Sequence, residues 1–167
     1  FTVQSDYLPA LLRTYRSIYG TQVDVRLYQG LTQGLLDRLV DGTYDIAICA
    51  YAEGLPDIEF VPVLTQDFVA VVHKDNPLAQ RGEIKVSDMR KTGIVTYRPE
   101  TSIGSEVKRL IENFNLTIKQ WCDDEITLGG EVSVNPDLLG ISLDTLGLAP
   151  FPELKRIPFA GDAGKGA

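Results

Sequence analysis

Residues 22–49, QVDVRLYQGLTQGLLDRLVDGTYDIAIC, hold the pattern that decides the fold. Val23, Val25 and Leu27 alternate with polar residues, which reads as a strand with one buried face. Leu31, Leu35, Leu36, Leu39 and Val40 then recur at helical spacing, and Tyr44, Ile46, Ala47 and Ile48 make a short, almost unbroken apolar strand. Strand, helix and strand in that order form a βαβ unit. The turn Gly30-Leu31-Thr32 puts a hydroxyl near the unpaired amides of a helix N-terminus, at the sheet edge where open α/β folds bind small ligands.

Working outward, Ser5 or Asp6 can cap a helix whose apolar face is Tyr7, Leu8, Leu11, Leu12, Tyr15, Ile18 and Tyr19, closed by Gly20. Phe1 to Gln4 reads as the end of a strand entered halfway, so the chain is expected to be part of something longer. Strands are expected over Ile58 to Leu64 and Phe68 to His73. Lys74-Asp75-Asn76-Pro77 then breaks the pattern and is read as a hinge. Beyond it Ser87 is expected to cap a short turn, and Gly93 to Tyr97 reads as a strand. Thr101 or Ser102 opens a helix with Ile103, Val107, Leu110, Ile111 and Phe114 on one face. A strand over Thr117 to Cys122 completes a second βαβ unit. Asp124 caps a helix to about Val134, Asn135-Pro136-Asp137 turns, and Leu138 to Leu143 and Leu154 to Phe159 are strands.

Composition narrows the function. The chain has 167 residues, 44% of them hydrophobic, enough for a core in one domain or in two lobes around a shared cleft. Its 16 Lys+Arg against 23 Asp+Glu give a net charge of −7, which repels a phosphate backbone. No apolar run approaches the roughly 20 residues of a membrane span, so no membrane role is expected. Cys49 and Cys122 read as unpaired thiols of a reduced compartment. With one histidine, His73, at a strand end, no HExxH, no GxSxG and no phosphate loop, the residues offer no catalytic set, no cofactor motif and no metal site.

What remains is polar chemistry at strand-to-helix turns: Gln4 and Ser5, Thr32, Tyr97 with Thr101 and Ser102, and Ser133 near the end of its helix. Each residue taken alone fits simple capping. As a set, they put the same chemistry at the same point of successive βα units, so helix N-termini could converge on one polar or anionic ligand. Arg98 is the one cation of the group and would suit a carboxylate.

These residues resemble a known family, the effector-binding (substrate-binding) domain of LysR-type bacterial transcriptional regulators. The similarity rests on Tyr7-Leu8-Pro9 followed by LLRTYRSIYG, on VRLYQGLTQGLLDRLVDGTYDIAIC, on PVLTQDFVAVVHKDNPLA, and on ITLGGEV ahead of a strand and KRIPF, all in the family's order. It implies an α/β fold of two Rossmann-like lobes around a central ligand cleft, like type 2 periplasmic binding proteins. The implied first lobe is 1–73 plus 145–167 and the second 74–144, with the N-terminal winged helix-turn-helix that binds DNA lying outside this chain. Carried over by position, effector contacts fall on Gln4-Ser5, on Thr32, on Tyr51 and on Tyr97 to Ser102. Ser133 is carried over as a contact as well, although Asn135-Pro136-Asp137 after it departs from the family's glycine-rich turn. The resemblance further implies a cytoplasmic homodimer, with a higher oligomer open in the full-length protein. In it the helix of Leu31 to Val40 would meet the partner's helix of Ile103 to Phe114. A small carboxylate or an aromatic acid would suit the cleft. A solute-binding protein of a transport system is the competing reading.

Overall fold

The run Phe68–His73 is apolar up to its last residue, and its surroundings require that. In the computed structural model, which describes residues 7–20 and 22–164, this strand, β1, is buried at every position. It lies inside a five-stranded sheet with β2 (Gly93–Tyr97), β3 (Thr117–Cys122), β4 (Leu138–Leu143) and β5 (Leu154–Pro158), ordered β3-β2-β4-β1-β5. Strands covered on both faces read as continuous apolar runs, whereas those covered on one face alternate. Phe68, Ala70 and Val72 join Ile94, Leu139, Ile141 and Met89 on one side, under α3 (Ser102–Ile111) through Val107. Val69 and Val71 join Val95, Leu128 and Val132 on the other, under α4 (Glu125–Val134). The edge strand β3 alternates exposed and half-buried residues up to a buried Cys122.

The sheet is mixed. β2 runs parallel to β3 and β4, as two βα crossovers require, while β1 is antiparallel to both β4 and β5. Gly140 lies where α4 crosses β4. A Cβ there would stand 2.6 Å from Leu128 Cδ2 and 3.2 Å from Val71 Cβ, so its absence lets the helix settle on the sheet.

The chain divides into two compact units, Phe1–Val61 and Pro62–Ala167. This differs from the expected boundary at 73. Both β1 and β5 hydrogen-bond within the second unit's sheet, which places Phe68–His73 and the 154–158 strand there and not with residues 1–61. The expected hinge at Lys74 to Pro77 is corrected too, because that turn is tied down on both sides. The Lys74 amide donates to Glu153 O at 2.8 Å, and Asn76 Nδ2 donates to Pro136 O at 2.7 Å while its Oδ1 accepts from the Leu78 amide. His73 is buried, its Nδ1 accepting from the Asp75 amide at 3.2 Å, a structural role.

The first unit carries α1 (Tyr7–Tyr19) and α2 (Thr32–Val40), both where the periodicity places them. Among the described residues, the segments 23–29, 44–49 and 58–64, expected as strands, form no β-ladder. Alternation specifies which side chains share a face, and the ladder depends on a partner that alternation does not name. Tyr28 and Tyr44, from the first two of these segments, do stack, with ring centroids 5.2 Å apart.

Candidate functional site

Because β2, β3 and β4 are parallel, their carboxyl ends share one edge of the second unit's sheet, and α3 and α4 begin there. Helix N-termini present unpaired amides at such an edge. The turn between β2 and α3 is tightly made. Thr101 Oγ1 accepts from the Gly104 amide at 3.0 Å as the N-cap and donates to Arg98 O at 2.8 Å, and the Thr101 amide donates to the same carbonyl at 3.1 Å. A Cβ on Gly104 would lie 1.8 Å from Arg98 O, so this close passage of turn over helix needs glycine. The cap is thus Thr101, and Ser102 is the first helical residue, half-buried. Ser87, expected as a cap, sits inside the 3-10 turn Val86–Lys91, which Lys85 precedes as N-cap.

The expected ligand residues divide by what they already bind. Tyr97 is buried, and its hydroxyl donates to Glu125 Oε1 at 2.6 Å and accepts from the Leu143 amide at 3.0 Å, with Ser142 Oγ at 3.1 Å. Burial first, then the Glu125 carboxylate, push its phenol well above the usual range. Its oxygen serves the interior of the unit. Arg98 is exposed, and its Nε donates to Asp123 Oδ1 at 2.6 Å, so the one cation of the set already has a carboxylate. Ser133 lies at the far end of α4, roughly 12 Å along the axis from Glu125 at 1.5 Å per residue, with Oγ bound to Gly130 O at 2.8 Å. The carboxyl edge of the sheet is at the other end of that helix. Thr101, Ser102 and Arg98 are therefore brought together, and Ser133 is not.

In the first unit, Thr32 is the first residue of α2. Leu31 is the N-cap and makes no side-chain cap bond, so the Thr32 hydroxyl does not cap this helix as expected from the turn. Tyr51 is exposed and meets Phe60 edge-on at a ring distance of 5.0 Å. Gln4 and Ser5 fall outside the described residues. A hollow of about 530 Å³ opens between α1 and Leu27–Gln29, lined by Leu8, Leu12, Arg13, Arg16 and Tyr28.

Sequence reasoning missed the partners Asp123, Glu125 and Ser142. The run Asp123-Asp124-Glu125 reads as a cap, and only Asp124 is one, accepting from the Thr127 amide at 2.7 Å. The register that sets Tyr97 against Cys122 carries Arg98 to Asp123, and that register is the missing signal. Both cysteines are free, Cys122 buried and Cys49 half-buried. Among the described residues no group of three or more His, Cys, Asp or Glu could hold a metal ion, and no helix is long and apolar enough to cross a membrane.

This mixed sheet with helix N-termini gathered at its parallel edge is the architecture of a ligand-binding α/β domain. The model of the LysR substrate binding domain matches residues 1–123, and the chain belongs to that family. It is 22% identical over 166 residues to YybE, an HTH-type transcriptional regulator of Bacillus subtilis, covering 93% of this chain and 56% of that protein. The chain thus spans little more than half of that relative. A probable hydrogen peroxide-inducible genes activator of Streptomyces viridosporus is 29% identical over 94 residues, 56% of this chain and 30% of the activator. Among solved structures, the effector binding domain of QuiR in complex with shikimate superimposes with a TM-score of 0.88 at 24% identity, over 99% of this chain and 80% of that one. HinK, a LysR family transcriptional regulator from Pseudomonas aeruginosa, gives a TM-score of 0.83 at 18% identity, over 99% and 58%. The fold is that of LysR effector-binding domains.

Proposed function

We propose that this chain is the effector-sensing part of a LysR-type transcriptional regulator. In this reading the domain binds a small polar molecule, and that binding changes how a DNA-binding domain outside this chain engages its target. The family match carries the reading, and it favours a regulator over a transport component. The grouping of Arg98, Thr101 and Ser102 beside the α3 N-terminus supports a ligand of carboxylate or polyhydroxy character. Gln4, Ser5, Thr32 and Tyr51 are the contacts proposed from the first unit, while Tyr97 supports the turn from inside. Such a ligand can bias the protein only by its differential affinity for two states, typically about 1–3 kcal/mol. A homodimer in the bacterial cytoplasm, with α2 of one copy against α3 of its partner, is the assembly we propose for relaying that bias. The chain has no proposed catalytic role.

Calorimetric titration with small hydroxylated and aromatic carboxylates, shikimate first, tests the site. Thr32→Val and Thr101→Val are both expected to weaken binding of any acid that the wild type takes up. A ligand that binds wild type and both variants equally would remove these turns from the site.

A further inference from the structure

Three consecutive carboxylates follow β3, and the fold gives each a different task. Asp124 caps α4 through the Thr127 amide, and Glu125 is buried against the Tyr97 hydroxyl. Asp123 alone of the three hydrogen-bonds the Arg98 guanidinium, with Nε to Oδ1 at 2.6 Å. The pairing follows from sheet register. Tyr97 stands opposite Cys122 in the parallel β2·β3 ladder, so the next residue of each strand emerges side by side at the carboxyl edge.

The main chain under Arg98 is pinned. Its amide donates to Cys122 O at 3.3 Å, and its carbonyl accepts from both the amide and the hydroxyl of Thr101. Any rearrangement at this point is therefore one of side chains. Both members of the pair are open to solvent, with side-chain exposures of 53% and 59%, so a dissolved anion can reach the guanidinium.

We infer that Asp123 is a built-in competing carboxylate, a specificity-determining residue that sets the threshold at which Arg98 accepts an anion. An anion arriving at the β2–α3 turn takes the guanidinium from Asp123 or shares it, and uncharged molecules meet no such competition. The consequence for effector choice rests on the function proposed above. The competition itself is a property of two side chains of the second unit and is measured without an effector.

The test is a titration of the intact chain with sodium acetate, against sodium chloride at matched ionic strength. It follows the Arg98 Nε–Hε resonance by NMR, assigned by its loss in Arg98→Lys. Asp123→Asn and Asp123→Ser are expected to bring the acetate midpoint down by about 1.5- to fivefold, the span of an exposed ion pair. Glu100→Gln, which removes a nearby charge with no bond to Arg98, is expected to leave it unchanged. Equal midpoints in wild type and both Asp123 variants would overturn the inference. So would a fall in Glu100→Gln as large as in Asp123→Asn, since long-range charge would then explain it. An effector unaffected by Thr32→Val and Thr101→Val would sink the proposed site and leave the acetate result standing.

Discussion

The Tyr97 hydroxyl donates to the Glu125 carboxylate at 2.6 Å, across 28 residues of sequence and between the last residue of β2 and the first of α4. The same oxygen accepts from the Leu143 amide at the end of β4, so one phenol joins two strand ends to a helix start. All of this is buried, where a polar group left without its partner is costly. Tyr97→Phe keeps the ring and removes the phenol's bonds to the carboxylate and to the amide. It is expected to cost about 2–3 kcal/mol, read as a shift in urea midpoint with little change in slope. A loss below about 0.5 kcal/mol, the ordinary scatter of harmless substitutions, would show that the network contributes little.

Gly104 makes a separate prediction about the turn. Its missing Cβ would fall 1.8 Å from Arg98 O, so Gly104→Ala must push the Arg98–Thr101 turn off the helix. A destabilisation of about 3 kcal/mol, the upper part of the overpacking range, is expected in thermal unfolding. Ser105→Ala, one residue on and exposed, serves as the control and should melt with the wild type.

The turn that looked like a hinge makes a third. Asn76 holds Pro136 O through Nδ2 and the Leu78 amide through Oδ1, so Asn76→Ala releases two contacts at once. A loss of about 1–2 kcal/mol is expected. Hydrogen exchange at the Leu78 amide should speed up in the variant. An unchanged rate would return that turn to the mobile parts of the chain.

Cys122 carries the pH prediction. Burial first, then the charges of Glu131, Asp124 and Asp123, with Arg98 acting in the opposite sense, push its thiol from 9.0 up to about 11. A group whose folded value is raised binds its proton more tightly when folded. Its contribution to stability is therefore complete below 9 and is lost as pH rises from 9 through about 11. Tyr97 is raised as well and adds a loss of the same sign at still higher pH. Cys122→Ala should make the decline in unfolding free energy over that window shallower without abolishing it. In the folded wild type, Cys122 should resist thiol-specific alkylation near neutral pH, since the thiolate is the reactive form. Fast labelling would contradict the burial that holds the proton.

Among the described residues, local pattern was enough for the four α-helices and for the second unit's strands. Period-3.6 apolar spacing marked α1 and α2, and the cap at Asp124 and the strand Leu138–Leu143 fall where turn chemistry and apolar runs put them. The α/β class followed from the order of those segments, because each depends only on residues close in sequence, and the family came from the resemblance of the motifs they carry. Three things depended on contacts between distant residues and were legible only in the folded chain. Phe68–His73 belongs to the second unit because β4 and β5 pair with it from both sides, and an apolar run names no neighbour. Tyr97 faces inward and Arg98 meets Asp123 because of a parallel register, which a shift of one residue would have reversed. Ser133 leaves the ligand edge because α4 runs back across the sheet, turning nearness in sequence into a helix length of separation. Hydrophobic periodicity states which face of a segment is buried, and a site is built from which segments meet; the first is a local property of the chain, the second belongs to its tertiary packing.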